Sequence, residues 1–180
     1  MSEKMNMTPL GMKILTFLAR HPDKEFYVRE IAKSIKKSVG GTHNALKSLL
    51  LLNLIEEKIS GKNLYYRVNE TNPSVKIFKI FMTTTELNPL ISELKKTSEK
   101  IILFGSCVTG EDTSDSDIDL FILTRDTKKV NDYLKKKRLD RTIQAVVVDT
   151  AGFVKIKEKD NAFYKEINKG LVLWADKNHE

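Results

Sequence analysis

Cysteine is almost absent from this sequence, because Cys107 is the single cysteine among 180 residues. A framework of disulfides within the chain is therefore excluded. Long hydrophobic runs are also lacking: none approaches the roughly 20 apolar residues that cross a bilayer. The opening MSEKMNMTPLG has no apolar stretch of the kind that a secretion signal carries. We therefore expect a cytoplasmic protein without a membrane segment.

Negative charge is in the minority, and its distribution along the chain is uneven. The net charge is +7, and the pI is near 9.3. Residues 1–72 hold 12 Lys and Arg against 7 Asp and Glu, a net of +5, whereas residues 73–180 hold 19 against 17, a net of +2. The N-terminal part is thus the candidate for binding a polyanion.

The pattern of residues 8–70 predicts three helices followed by a two-stranded hairpin. A helix runs from Thr8-Pro9 to His21-Pro22, a second covers Phe26 to Ile35, and a third begins after a Ser38 cap. The hairpin pairs Ile55–Ser60 with Leu64–Val68 through the turn Gly61-Lys62-Asn63. This order resembles a winged helix-turn-helix, and we assign residues 1–72 to that domain.

A helix of this kind implies DNA binding through its polar face, because Asn and Lys reach base edges and Ser and Thr reach phosphates. A solvated surface is the alternative for each basic residue, and a winged helix can also bind protein. The leucines from Leu49 to Leu52 are expected to form core, with the fourth of them assigned to a homodimer interface. The candidate DNA-binding residues are Ser38, Gly40, Thr42, His43, Asn44 and Lys47 on the third helix, with Lys58, Lys62 and Arg67 on the hairpin.

Residues 73–97 are predicted to be connecting helices. A strongly apolar helix spans Val75 to Phe81, Asn88-Pro89 interrupts the pattern, and a second helix continues from Leu90. Residues 98–180 then form the second domain.

The stretch IILFGSCVTGEDTSDSDIDLFILT, residues 101–124, places a polar loop between two apolar runs that are typical of buried strands. Side chains alternate along a strand, so Asp117 and Asp119 face one side and Ile118 the other. Two neighbouring carboxylates suit a magnesium ion. Gly105 permits a tight turn, and Ser106 is predicted to cap a short helix that faces an anion. These features together outline a nucleoside triphosphate site.

The spacing of Gly105-Ser106 and Asp117-x-Asp119 resembles the signature of the DNA polymerase beta superfamily of nucleotidyltransferases, particularly its minimal members. The resemblance implies that Gly105 and Ser106 bind the triphosphate, and that Asp117 and Asp119 are catalytic and bind Mg²⁺, two ions in an active member. An acidic surface loop without function is the alternative. A calcium loop fails, because Leu120 and Asp126 stand where Gly and Glu are required.

The elements after the motif complete a small mixed sheet, which we predict to have its helices on one side. The chain is therefore expected to be an α+β protein: a winged helix-turn-helix domain followed by a small mixed-sheet nucleotidyltransferase domain. The predicted elements are a helix over 125–139, a strand over 143–148, helices over 151–157 and 161–167, and a strand over 171–174.

The resemblance has two departures. Active members carry a third carboxylate early in the strand that here spans 143–148, where Gln144 stands, and Gln cannot act as a base. Asp149 lies five residues further on, so it faces the other way unless a bulge intervenes. Thr109 replaces an arginine that would contact phosphate. Cys107 is interpreted as a small buried residue.

Two functions remain open. In one, DNA or another macromolecule docks on the winged helix while the second domain transfers a nucleotidyl group from a triphosphate. In the other, the protein is a regulator, or an antitoxin-like partner of a toxin-like protein, in which the nucleotidyltransferase fold binds nucleotide or a protein without turnover.

Overall fold

The chain divides into two units, Met1–Lys79 and Ile80–Glu180. The structure is a computed structural model that describes residues 7–61, 63–137 and 139–176. Within those ranges, no helix combines the length and the apolar character that a membrane crossing requires.

Helix caps set the start of α1 (Pro9–Ala19) and α3 (Val39–Leu51), as the sequence predicted. Thr8 Oγ1 accepts a hydrogen bond from Gly11 N at 3.0 Å, and Ser38 Oγ accepts one from Gly41 N at 3.3 Å. The other elements of the first unit are β1 (Phe26–Tyr27), α2 (Val28–Ser34), β2 (Ile55–Ser60) and β3 (Asn63–Val68).

The second helix starts later than predicted, because Phe26 and Tyr27 form a strand. Phe26 pairs with Tyr66 and Tyr27 with Tyr65, which gives a three-stranded sheet in the order β1-β3-β2. Aromatic residues favour strands through such cross-strand contacts, and here they outweigh the helical pattern. Three helices and a three-stranded wing around a single core give the winged helix-turn-helix architecture, as predicted.

One helix, α4 (Pro73–Leu94), replaces the two connecting helices that the sequence predicted. Pro89 lies inside it, although proline removes a backbone donor and disfavours a helix interior. Leu87, Leu90 and Leu94 are at most 2% exposed, and their burial on both sides of Pro89 favours continuation of the helix.

A four-stranded mixed sheet organises the second unit, in the order β6-β5-β4-β7. Its β4–β5 and β4–β7 pairs are antiparallel, and its β5–β6 pair is parallel. The remaining elements are β4 (Ser98–Phe104), α5 (Ser106–Thr109), β5 (Ile118–Thr124), α6 (Thr127–Lys136), β6 (Ile143–Val148), α7 (Thr150–Lys159), α8 (Asn161–Asn168) and β7 (Leu171–Ala175).

Helices cover both faces of this sheet, so the prediction of helices on one side was wrong. One face packs against residues of α4 and α6, including Leu87 and Val130. The other packs against α7 and α8 through residues such as Phe153 and Ile167. The central strands β4 and β5 carry apolar residues on both of their faces, which requires cover on both faces. We call the second of these the α7/α8 face.

Candidate functional site

Strand pairing brings together the two ends of the loop that lies between β4 and β5, which we call the motif loop. Phe104, the last residue of β4, is the register partner of Asp119 on β5. The next residue, Gly105, has φ of 70°, a conformation that favours glycine. A Cβ at Gly105 would collide with Asp119 Oδ2 and lie 3.2 Å from Asp119 Cγ. The glycine therefore leaves the space that the Asp119 carboxylate occupies.

The predicted alternation of side chains around Ile118 is confirmed. Ile118 and Leu120 are fully buried, whereas Asp117 and Asp119 are half-buried. Phe121 shares the side of Asp119 and packs in the core under the α7/α8 face. Both carboxylates therefore point to the α7/α8 face, at the open end of the sheet.

Electrostatic strain is concentrated on Asp119. Partial burial raises the pKa of its carboxyl above its ordinary value, and the neighbouring charges of Asp117 and Glu166 raise that pKa further. A bound cation would relieve this repulsion. Glu166 lies on α8, which packs on Phe104 through Phe163 and on the same core through Ile167. Sequence reasoning missed Glu166, because no local motif links a helix near the C-terminus to the motif loop.

Gln144 occupies the third position that register predicted. It pairs with Asp119 across the parallel β5–β6 ladder, so the two side chains share one face. Gln144 Nε2 donates to Asp117 Oδ2 at 3.0 Å. Asp149 cannot take this place, because it lies beyond the far end of β6 and its Oδ1 accepts from Gly152 N at 2.7 Å, which caps α7.

The turn after Gly105 differs from the prediction in one respect. Ser106 is the first residue of α5 and not its cap. Gly105 holds the cap position, and it has no side chain that could accept a capping hydrogen bond. Thr109 Oγ1 donates to Ser106 O at 3.1 Å and so completes the turn internally. Cys107 is buried, as predicted, and burial raises the pKa of its thiol.

The donor set fits a single hard cation better than a pair of metal ions. Asp117 and Asp119 offer carboxylate oxygens of the type that Mg²⁺ prefers. Within residues 7–61, 63–137 and 139–176, no group of three or more His, Cys, Asp or Glu side chains has the geometry to hold a metal ion. The Gln144 amide, which offers N–H to Asp117, stands where a further carboxylate would be needed.

The exposed surface of α3 contains most of the polar residues that the sequence selected. Gly40, Asn44 and Lys47 are exposed, and His43 is half-buried. Thr42 is a correction, because it is 0% exposed and its hydroxyl donates to Ser38 O at 2.8 Å. Its side chain is therefore not available to DNA. Ser38 remains exposed, with its hydroxyl engaged as the cap.

Two of the three predicted basic residues of the wing have acidic partners. Lys58 Nζ lies 2.9 Å from Glu25 Oε1, and Arg67 Nη2 lies 2.6 Å from Glu56 Oε2. Such pairing lowers the positive charge that they present. Lys62 lies outside the described residues.

A second group of exposed cations was missed by sequence reasoning. It consists of residues on α2 and on the turn that leads into α3, where Lys36 has φ of 55°. The spacing of four between the first two members was the available signal, since it places both on one helix side. We call this group the turn cations: Arg29, Lys33, Lys36 and Lys37.

Comparison with known proteins identifies the family that the second unit resembles. Residues 85–173 match the family model described as "Nucleotidyltransferase domain". That stretch includes Gly105, Asp117, Asp119 and Gln144. A search of curated proteins gives no significant match.

Solved structures similar to the chain include the following bacterial proteins, all at low similarity. MepR of Staphylococcus aureus in complex with DNA is 16% identical, with 52% of this chain and 77% of that chain covered and a TM-score of 0.42. The homodimeric winged helix-turn-helix DNA-binding domain Mb0332 of Mycobacterium bovis is 22% identical (47% and 75% covered, TM-score 0.39). A mutant of ZitR from Lactococcus lactis is 22% identical (53% and 66% covered, TM-score 0.42). The first unit thus has the winged helix-turn-helix topology, and residues 85–173 are similar to the nucleotidyltransferase domain family.

Proposed function

We propose that this protein binds DNA through its winged helix and binds a nucleoside triphosphate with Mg²⁺ in its nucleotidyltransferase domain. One observation supports the nucleotide-binding part of the proposal: the Gly105 backbone lies against the Asp119 carboxylate, and Asp117 is on the same face. This arrangement supports a cation site at the end of the sheet, formed by the two carboxylates next to the Gly105 backbone. A solvated acidic loop would not need a glycine fitted to a carboxylate.

The residues have separate tasks in this proposal. Asp117 and Asp119 hold the cation, and the Gly105-Ser106 turn holds the triphosphate. Magnesium, when bound, neutralises phosphate charge and polarises the phosphoryl group. Gly105 contributes by letting the backbone pass close to the carboxylates without a side chain. Positioning and charge neutralisation are the main needs of nucleotidyl transfer.

The acceptor of a transferred nucleotidyl group is a hydroxyl whose proton must be removed. Gln144 cannot act as that base, because an amide has no basic lone pair at neutral pH. Its donation to Asp117 favours a second candidate function, in which the domain binds nucleotide without turnover and serves a transcriptional regulator. Incubation with labelled triphosphates, Mg²⁺ and candidate acceptors, followed by product analysis, separates the two functions.

The nucleotide site is tested by thermal shift with ATP and MgCl₂. We expect the wild-type melting temperature to rise with ligand and the rise to vanish in Asp117→Asn with Asp119→Asn. Asp115→Asn is the matched control, since Asp115 is exposed in the same loop and makes no part of the proposed site. An unchanged shift in the double variant would refute the site.

The DNA half of the proposal is supported by the exposed polar surface of α3 and by the net charge of +5 on residues 1–72. We also propose that the chain forms a homodimer, with the 89% exposed Leu51 of α3 as a candidate contact. Light scattering of the purified chain measures this directly. An antitoxin-like role toward a protein partner is a third proposal, which gene neighbourhood would test.

A further inference from the structure

The guanidinium of Arg141 is buried and forms hydrogen bonds with the motif loop. The side chain of Arg141 is 3% exposed. Its Nη1 donates to Asp112 Oδ2 at 2.8 Å and to Cys107 Sγ at 3.6 Å. Its Nη2 donates to Thr83 Oγ1 at 2.9 Å and to Glu86 Oε2 at 3.5 Å, both on α4. The same group therefore joins three separate segments of the second unit.

The part of the motif loop after α5 has one buried side chain, and that side chain is the partner of Arg141. Among residues 111–116, Asp112 alone is buried, with its side chain 2% exposed, while its neighbours are exposed or half-buried. Cys107, which receives the second Nη1 hydrogen, itself donates to Asp117 O at 3.6 Å. The guanidinium is thus linked through short contacts to the start of the loop, its middle and its end.

Arg141 also lies at the entry to the strand that carries Gln144. The carbonyl of the next residue, Thr142, accepts from Ile118 N at 2.8 Å, which joins the entry of β6 to the entry of β5. Displacement of Arg141 would therefore disturb the loop and the Asp119–Gln144 row together.

Stability alone does not account for such a group. A buried ion pair has a large desolvation cost, and apolar replacements of similar volume are often as stable or more stable. Arg141 Nε is, in addition, buried without a hydrogen-bond partner among the described residues, which also costs stability. What an arginine offers here and an apolar side chain does not is a rigid fork of donors with fixed directions.

We propose that Arg141 is a positioning residue of the motif loop: through Asp112 and Cys107 it holds residues 105–112 in the conformation that receives a nucleoside triphosphate. It does not touch the nucleotide. The proposal rests on the proposed function for its purpose, whereas the loop's dependence on Arg141 is measurable without any ligand.

The test uses a charge-free pair in the full chain. Arg141→Met alone would leave the Asp112 carboxylate buried without this counter-charge, so the informative variant is Asp112→Leu with Arg141→Met. It removes the buried Asp112–Arg141 pair and keeps similar volume, and it leaves Glu86, whose side chain is 22% exposed and so in contact with solvent. Arg125→Met is the matched control. It removes an arginine whose Nε lies 2.6 Å from Glu99 Oε1, at the opposite end of β5 from Asp117.

Amide hydrogen exchange of the ligand-free protein is the first measurement. We expect exchange within residues 105–113 to accelerate by about tenfold or more in the double variant, while the central strands β4 and β5 keep wild-type protection. A structural role without loop positioning would leave the loop unchanged or loosen the whole unit equally. Either of those results would overturn the proposal.

Binding of a fluorescent ATP analogue with MgCl₂ is the second measurement. We expect the double variant to bind about tenfold or more weakly at an unchanged melting temperature. The nucleotide must then order the loop on binding, and the entropic cost of this ordering reduces the affinity. Arg125→Met should bind as the wild type does. Wild-type affinity in the double variant overturns the proposal. Absence of binding by the wild-type protein instead overturns the proposed function, and with it the purpose assigned to Arg141, even where the loop exchange has changed.

Discussion

At the scale of single residues, the ionised carboxylate of Asp119 is expected to lower the stability of the ligand-free protein. Its pKa is raised from an ordinary value of 3.8, first by burial and then by Asp117 and Glu166. A carboxyl whose folded pKa is above its unfolded pKa favours the folded state most when it is protonated in both states. That contribution is lost as the pH rises through the folded pKa, so the ionised form is destabilising at neutral pH.

Replacement of Asp119 by Asn should therefore stabilise the ligand-free protein. We expect the melting temperature to rise by a few degrees at about pH 7, and the gain to shrink as the pH falls toward about 3.5. Thermal denaturation across this pH range, without divalent ions, measures it. Asp115→Asn is the control and should show no such trend. A gain that grows as the pH falls would contradict the assigned direction of the pKa shift.

The prediction for Gln144 runs in the opposite direction, because the informative substitution at this position adds a negative charge beside Asp119. Gln144→Glu keeps the shape of the side chain but exchanges the N–H that Asp117 accepts for a third carboxylate beside Asp119. We expect a lower melting temperature without metal and a larger rise on addition of MgCl₂ than in the wild type. Calorimetric titration with Mn²⁺ gives the affinity directly. Gln144→Leu separates loss of the hydrogen bond from gain of charge, and it should destabilise without a larger metal response.

Residue-level prediction from sequence succeeded where alternation along a strand decided the outcome. Asp117, Asp119 and Gln144 share one face because a strand has a period of two and because the register is fixed by buried neighbours such as Ile118. It failed for Thr42, whose polar side chain is buried through a bond to Ser38 O at the start of its own helix. A helical Thr satisfies its hydroxyl locally, so polarity alone did not reveal the side on which it lies.

At the scale of elements, the predictable features were those with local signals. The caps at Thr8 and Ser38 and the hairpin of β2 and β3 follow from short patterns. The strand β1 and the continuity of α4 do not. Phe26 and Tyr27 are extended because β3 lies beside them, and α4 continues through Pro89 because the leucines around it are buried. Both outcomes depend on partners that are distant in sequence.

The α2–turn–α3 segment gives a prediction for DNA binding. Lys36 and Lys37 of the turn cations precede the exposed face of α3, on which Lys47 lies. We expect the triple change of these lysines to Ala to weaken binding of a DNA duplex. The dependence of log affinity on log salt should also flatten, by about 0.9 for each phosphate that the variant no longer neutralises. Fluorescence anisotropy at a series of KCl concentrations measures the slope.

The control for that experiment must alter charge without altering this surface. Lys128→Ala with Lys129→Ala removes exposed cations from α6 in the second unit, and Lys58→Ala removes one that is paired with Glu25. Neither should change the salt slope as much as the triple variant does. An equal weakening in all three variants would show that DNA is attracted by net charge alone.

For the molecule as a whole, the two units differ in their charge and in their suitability for polyanions. Residues 1–72 carry a net +5 with exposed lysines around α3, so they need no metal ion to attract a phosphate backbone. The candidate nucleotide site instead presents Asp117 and Asp119, with the charge of Glu166 nearby. A triphosphate can approach these carboxylates only with a divalent cation between them.

Chelation should therefore separate the two binding activities. At constant ionic strength, EDTA is expected to abolish the ATP-induced thermal shift and to change the affinity for a DNA duplex by less than about twofold. The variant Asp117→Asn with Asp119→Asn should bind DNA as the wild type does, and the triple lysine variant should keep its ATP response. ATP binding that persists in EDTA would place the nucleotide on cations such as the turn cations. Loss of DNA binding in the aspartate variant would mean that the carboxylates serve the fold of the whole chain and not a local site.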